Sequence, residues 1–181
     1  QRAYPAMACE IQAALGCGCY GFDMNVACSS ATFALQEAVN AVKNGSATRV
    51  LIVNPEITSA HLEWRDRDCH FIFGDVCTAL VVEAEDPARS AERWRVRRFW
   101  LHQANLGMNQ LVIKKLVGAD LSGTQGHDLA PIILSEYANT ASAGSIIAFH
   151  KHRGGIRPGE VGVICSFGAG YSIGSVVVER L

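Results

Sequence analysis

The chain has 181 residues, of which 49% are hydrophobic and 18% charged, with a formal net charge of −1. That composition suits a globular protein with a substantial core, in one domain or two small layered halves. The near-neutral balance argues against nucleic acid or a membrane surface as partner, and the longest apolar runs, Val50 to Val53 and Thr78 to Val82, are too short to span a bilayer.

No basic segment followed by an apolar stretch opens the chain, so no export signal is expected. Seven cysteines (Cys9, Cys17, Cys19, Cys28, Cys69, Cys77 and Cys165) stand in apolar contexts at spacings that suit no disulfide framework. They predict mostly buried free thiols in a reducing cytoplasm. Cys17-Gly-Cys19 is the one tight pair, and a single C-x-C without a second ligand pair is weak grounds for a metal; none is expected.

In chain order, residues Ala6 to Leu15 read as a helix stopped by Gly16. A strand is predicted over Gly21 to Ala27, followed by Cys28-Ser-Ser. Ala31, Ala34, Leu35, Ala38 and Val42 recur at helical spacing, with Gly45 placed as a C-cap. Arg49 to Val53 is a continuous apolar run of the buried, parallel-sheet kind, which would complete a βαβ unit. A charged loop is predicted from Ser59 to Asp68, then strands over His70 to Phe73 and Cys77 to Glu83. The stretch Asp86 to Arg93 reads as a solvated turn or linker. After His102-Gln-Ala-Asn105 a helix is predicted from Leu106 to Val117, with Leu111, Leu116 and Val117 among its apolar positions. Another should begin near Thr140, where Ala141, Ala143, Gly144 and Ser145 permit close packing. Gly154 to Gly159 is a turn, and the chain closes with strands over Val161 to Cys165 and Ser172 to Glu179. No short-period repeat or low-complexity tract is present.

Four segments carry candidate chemistry. Cys28 lies where a strand is predicted to turn into a helix, a place where the helix dipole and unpaired backbone N–H groups favour thiolate and can hold an oxyanion. A buried core cysteine is the plainer alternative. His102 sits at a strand–helix junction, able to present a ring nitrogen into a cleft or to serve as a structural histidine. Asn139 stands at the entrance to a helix, where an N-cap is the common role. The glycine-rich stretch Ser166 to Gly174 is either a plain hairpin turn or a place where backbone closely approaches a reacting atom.

The order of these four, Cys at an elbow, His-Gln-Ala-Asn, Ala-Asn-Thr before a small-residue helix, and Phe-Gly-x-Gly before the last strand, resembles the β-ketoacyl-acyl carrier protein synthase III family of thiolase-fold condensing enzymes. Asp23-Met-Asn-Val-Ala-Cys-Ser29, Ile72-Phe-Gly-Asp75 and Gly155-Ile-Arg-Pro-Gly-Glu160 extend the likeness over nearly the whole chain. Among subgroups it is most similar to enzymes that prime with medium-chain acyl-CoA and make β-ketodecanoyl-type products.

That resemblance implies an α/β, layered αβαβα thiolase-like fold, here incomplete: mostly the C-terminal half plus the βαβ unit of the nucleophile. Residues 1–98 would hold the remainder of the N-terminal half and 99–181 the C-terminal half. It implies an acyltransferase that initiates fatty acid synthesis by decarboxylative Claisen condensation of an acyl-CoA with malonyl-acyl carrier protein. Cys28, His102 and Asn139 would be catalytic, the backbone N–H groups of Cys28 and Ala169 would form the oxyanion hole, and no metal or organic cofactor would be needed. A homodimer is implied as well. Less chain separates Cys28 from His102 than in the family, so internal segments are expected to be absent, as is much of the N-terminal half. Gly107 stands where several members place an arginine that helps dock the carrier protein; Lys114 and Lys115 on the same helix are either substitutes or a solvated face. A type III polyketide synthase differs around the histidine. A papain-like hydrolase shares the Cys, His, Asn order but lacks the local context of Ala-Cys-Ser-Ser. A non-catalytic partner subunit would have no reason to keep all three residues.

Overall fold

The computed structural model describes residues 4–84, 96–118 and 124–181; the linker expected over Asp86 to Arg93 lies outside them. Helix α1, Met7–Leu15, is built from strong helix formers and ends at Gly16, whose φ of 65° is the left-handed C-cap. Helix α2 runs over Ser30–Lys43. Strands β1, Arg49–Glu56, and β2, Val76–Glu83, pair antiparallel from Arg49 opposite Glu83 to Glu56 opposite Val76. Strand β3, Val96–Leu101, lies parallel to β4, Val161–Gly168, which forms an antiparallel hairpin with β5, Ser172–Glu179. Between them come α3, Leu106–Val117, α4, Thr124–Leu129, α5, Leu134–Tyr137, and α6, Ala143–His152.

The elements stack in layers. Helices α2 and α6 each touch both the β1–β2 pair and the β3–β4–β5 sheet, so they form a shared middle layer. Helix α6 is buried from Ala143 to Ala148 because its small residues let sheet side chains close over it. The core gathers here: Trp100, Ile133, Ile146, Ile147, Ile156 and Ile164 pack together, with Trp100 edge-on to Phe149 at 4.9 Å between ring centroids. Such a ring pair contributes about 1 kcal/mol beyond the burial of its area. Helices α3 and α4 cover the other face of the second sheet through Ile113, Leu129 and Ala130 against Leu101, Phe99 and Cys165.

Several sequence expectations change. Gly21 to Ala27 joins no ladder among the described residues; its one pairing is an isolated bridge between Val26 and Cys28. A strand exists only through its partner, and this segment forms no ladder with any described strand, so the βαβ unit does not form. The run from Arg49 extends to Glu56 and pairs antiparallel, with α2 on one face, where Ile52 and Asn54 are buried, and an exposed Leu51 on the other. His70 to Phe73 is a turn with a single bridge from Phe73 to Asn139. Part of the expected Ser59 to Asp68 loop is a 3-10 turn, Thr58–His61. On α3 the buried positions are Asn109 and Ile113, whereas Leu111, Leu116 and Val117 face solvent. Helix α6 starts at Ala143 rather than Thr140 because Ala141 has φ of 45°, outside the helical region. All seven cysteines are free, but Cys9, Cys17, Cys19 and Cys77 are exposed and the other three half-buried, because α1 buries no residue and Cys77 lies on an exposed position of β2.

Gly162 of β4 lies flat under the Trp100 ring, and a Cβ placed there would fall 2.2 Å from a ring carbon. Gly162→Ala should therefore cost about 2 kcal/mol through overpacking. A lowered urea midpoint with unchanged slope is the expected result; an unchanged midpoint would show that the ring moves aside freely.

Candidate active site

Cys28 stands at a tight elbow before α2. Ala27 is held at φ of 48°, the Ser29 and Ser30 N–H groups donate to the carbonyls of Val26 and Ala27, and the Ser30 hydroxyl accepts from the Val26 N–H at 2.8 Å. A non-glycine residue at positive φ is strained, and it persists here because the Ser30 and Ser29 bonds clamp both sides. Against this elbow lies the β4–β5 turn. A Cβ on Gly168 would stand 2.9 Å from the Cys28 nitrogen and 3.0 Å from that of Ser29, so the two backbones meet with no room for a side chain. The Ser29 and Ser172 hydroxyls join at 2.5 Å and tie α2 to β5 directly. Below them a buried hydroxyl chain runs from Thr32 of α2 through Ser166 of β4, at 3.2 Å, to Ser145 of α6, at 3.5 Å.

The backbone N–H groups of Cys28 and Ala169 both reach the Cys28 sulfur, and both favour its anion. Burial and the nearby Glu56 carboxylate outweigh them, so the thiol is pushed above its ordinary value. The expected preference for thiolate is thus reversed: the elbow's N–H groups at Ser29 and Ser30 are already taken by Val26 and Ala27.

His102 continues from β3. Its N–H donates to the Cys165 carbonyl at 2.7 Å, and its ring, 3% exposed, meets Phe167 edge-on at 5.1 Å. Burial holds the imidazole down to about 4, with the backbone of Ala141 pulling weakly the other way. The ring is therefore neutral at pH 7, a donor on one nitrogen and an acceptor on the other. The rest of His102-Gln-Ala-Asn105 is scaffolding. Gln103 is wholly buried, donating to the Leu101 and Pro131 carbonyls and accepting from the Ile133 N–H at 3.1 Å. Asn105 caps α3 by accepting from the Met108 N–H at 2.8 Å.

Asn139 is not an N-cap; that position of α6 belongs to Ser142. Its backbone is pinned on both sides, with its N–H donating to the Ile72 carbonyl at 3.0 Å and its carbonyl accepting from the Gly74 N–H at 3.1 Å. The second contact requires Gly74, where a Cβ would stand 2.5 Å from the Tyr137 oxygen. The Asn139 side-chain oxygen accepts from the Ala141 N–H at 3.0 Å, which turns the amide so that its NH2 is the group left to donate. Ala138 and Ala141, at φ of 56° and 45°, carry the strain of this loop.

One line of contacts therefore joins the three sequence-predicted side chains. The Cys28 elbow rests on Gly168 and Ala169, Phe167 of the same strand packs on His102, and the Ala141 backbone that faces His102 also orients Asn139. Glu56 was not foreseen. Its carboxylate accepts from the Ser142 N–H at 3.1 Å and from the Ser142 hydroxyl, which places a charge at the start of α6 and close enough to act on Cys28. A lone carboxylate closing the apolar run of β1 was the signal for it. Among the described residues no three His, Cys, Asp or Glu side chains converge as metal ligands would.

Comparison with known proteins agrees with this geometry. The family described as 3-oxoacyl-[acyl-carrier-protein] synthase III matches residues 22–98, and its C-terminal counterpart matches residues 90–180. A β-ketodecanoyl-[acyl-carrier-protein] synthase of Pseudomonas aeruginosa is 43% identical over 99% of this chain and 70% of its own length. At least 67 of the 248 positions in that alignment stand opposite no residue of this 181-residue chain. A β-ketoacyl-[acyl-carrier-protein] synthase III of Shewanella oneidensis is 28% identical over 98% of this chain and 73% of its own length. The crystal structure of a synthase III from Thermus thermophilus superposes with a TM-score of 0.85 at 21% identity, covering 100% of this chain and 74% of that one, which places the fold among thiolase-like layered structures. With both halves of the family matched and the elbow, histidine and asparagine segments in contact, this chain belongs to the 3-oxoacyl-[acyl-carrier-protein] synthase III family of condensing acyltransferases.

Proposed function

We propose that this protein joins an acyl primer, drawn from a medium-chain acyl-CoA, to malonyl-acyl carrier protein, with Cys28 as the acyl carrier. The Cys28 sulfur attacks the thioester carbonyl, the carbon–sulfur bond to CoA breaks, and CoA leaves with the thiol proton. His102 and Asn139 then donate hydrogen bonds to the thioester oxygen of the malonyl group. Its carboxylate leaves as carbon dioxide, and the electron pair of the broken carbon–carbon bond passes into an enolate held by those two donors. The enolate carbon attacks the acyl-Cys28 carbonyl, whose developing oxyanion is held by the N–H groups of Cys28 and Ala169. That attack forms the new carbon–carbon bond; collapse of the tetrahedral intermediate re-forms the carbonyl, breaks the carbon–sulfur bond and leaves the Cys28 thiolate to take a proton from water.

The observation that carries this reading is the pairing of a neutral, buried imidazole with an amide whose oxygen is already engaged. The amide NH2 is left to donate, and the neutral ring carries a single N–H that a substrate oxygen would take over from the Ala141 backbone, which suits an enolate; a charged or strongly basic group there would draw water onto the thioester. The N–H groups of Cys28 and Ala169 at the sulfur support the oxyanion assignment. The medium-chain primer rests on the likeness to the β-ketodecanoyl synthase of P. aeruginosa. A homodimer and a cytoplasmic location complete the proposal, and no described helix is long and apolar enough to cross a membrane.

Intact-protein mass spectrometry after incubation with a ladder of acyl-CoAs should show one acyl adduct on Cys28, heaviest with medium chains, and Cys28→Ala should lose it. His102→Ala and Asn139→Ala should keep the adduct while condensation falls by about 10²–10³-fold. Loss of acylation in the His102 variant would recast that residue as the base for Cys28.

The histidine makes a second expectation. Its folded value, about 4, lies below its ordinary 6.5, so its contribution to stability is fully present above pH 6.5 and is lost as pH falls toward 4. Imidazole resonances of His102 should stay those of the neutral ring down to pH 5. A midpoint near 6.5 would mean an open, solvated ring and remove the neutral-donor role.

A further inference from the structure

We propose that Glu56 is a positioning residue of this site: its carboxylate, seated at the start of α6, pins the loop that carries Asn139 and sets the electrostatic field at the Cys28 sulfur. The inference rests on the assignment of Cys28 and Asn139 given above and adds a residue to it.

The geometry is specific. Glu56 is the last residue of β1 and half-buried, and it receives both hydrogen-bond donors of Ser142, the backbone N–H at 3.1 Å and the hydroxyl. Ser142 is the N-cap of α6, but its own side chain caps nothing. Glu56 supplies the missing acceptor from another layer of the fold, and it anchors the short strained turn that runs from Asn139 through Ala141 to the helix. The side chain lies at the N-terminal end of α6, where the unpaired N–H groups of a helix begin. The same charge opposes ionisation of Cys28, working with burial against the N–H groups of the elbow and turn.

Few other charges surround the sulfur. His102, beyond β3, is neutral; the Asn139 to Ser142 loop and the Gly168 to Gly170 turn carry no titratable side chain. Asp75, on the segment that pairs with Asn139, is occupied by the Ser59 N–H at 2.8 Å and the Ser59 and Thr58 hydroxyls. Among the described residues, Glu56 is thus the charge that acts with burial to oppose ionisation of Cys28. Its consequence is a resting site in which the sulfur is a thiol and the imidazole is uncharged.

The test reads the thiol without turnover. The rate of alkylation by iodoacetamide is followed against pH on the Cys28 peptide by mass spectrometry, because the exposed cysteines also react. Glu56→Gln retains a carbonyl acceptor for Ser142 but removes the charge, and its Cys28 profile should move to lower pH. Glu56→Asp keeps the charge on a shorter arm: its profile should stay with the wild type while condensation falls. Ser142→Ala should leave the alkylation profile in place, preserve acylation of Cys28 and lower condensation by about tenfold, the size of effect expected from a small misplacement of Asn139. Superimposable wild-type and Glu56→Gln profiles, in proteins with equally cooperative melts, would overturn the electrostatic half of the proposal. Unchanged condensation in both Ser142→Ala and Glu56→Asp would overturn the positioning half. Should Glu56→Gln fail to fold, Glu56→Asp decides: a profile that departs from the wild type in pace with loss of structure makes the role merely structural. A wild-type Cys28 that alkylates but takes no acyl group would overturn its assignment as acyl carrier and leave the Glu56 result standing.

Discussion

Backbone meets backbone where the β4–β5 turn touches the Cys28 elbow, and the rest of the site depends on that contact. Gly168 leaves no space for a Cβ between itself and the nitrogens of Cys28 and Ser29. This closeness brings the Ala169 N–H to the sulfur, and the Ser29–Ser172 bond holds it there. Because Phe167 precedes Gly168 on the same strand, setting the turn also sets the aromatic edge against which His102 packs. One steric requirement therefore fixes the Cys28 elbow, the turn that bears Ala169 and the aromatic edge beside His102 together.

The three candidate side chains rest without charge. Burial neutralises His102, the Ala141 N–H occupies the Asn139 oxygen, and burial together with Glu56 keeps Cys28 a thiol. Low-dielectric surroundings strengthen hydrogen bonds to a developing anion, provided the donors need not first shed water or protons. Holding these groups strains the backbone: among described non-glycine residues, positive φ occurs at Ala27, Ala138, Ala141 and Tyr171, each beside a segment of this site. Strain of that kind persists only where surrounding bonds over-determine the conformation, as the Ser30, Ile72, Gly74 and Glu56 contacts do here.

Where local chemistry decides conformation, the elements were legible from the residues. Helix α3 spans the segment its pattern predicts, between an asparagine cap and Gly118 in the left-handed region, and α1 ends at its glycine. Strand predictions fared worse. Gly21 to Ala27 has the alternation of a strand but no partner, and Arg49 to Glu56 has the look of a parallel strand but an antiparallel neighbour. Apolar character alone does not say which face of α3 the sheet covers: Asn109 is buried while Leu111 is not. The Cys9 thiol of α1 and those of Cys17 and Cys19 just beyond it are exposed, since that helix buries nothing.

Cys28, His102, Asn139 and the Phe167 to Gly170 turn stand out as candidates in the sequence because their neighbours along the chain are distinctive. Membership of a condensing-enzyme family was recognisable as well, since the order of short motifs survives without coordinates. The protonation of those groups was not recognisable there. It depends on burial, on Glu56 and on N–H groups, brought together from positions as far apart as 28, 56 and 169. Desolvation and Coulomb fields act through space rather than along the chain, so only the tertiary structure could turn an expected thiolate into a thiol and an ordinary histidine into a buried neutral donor.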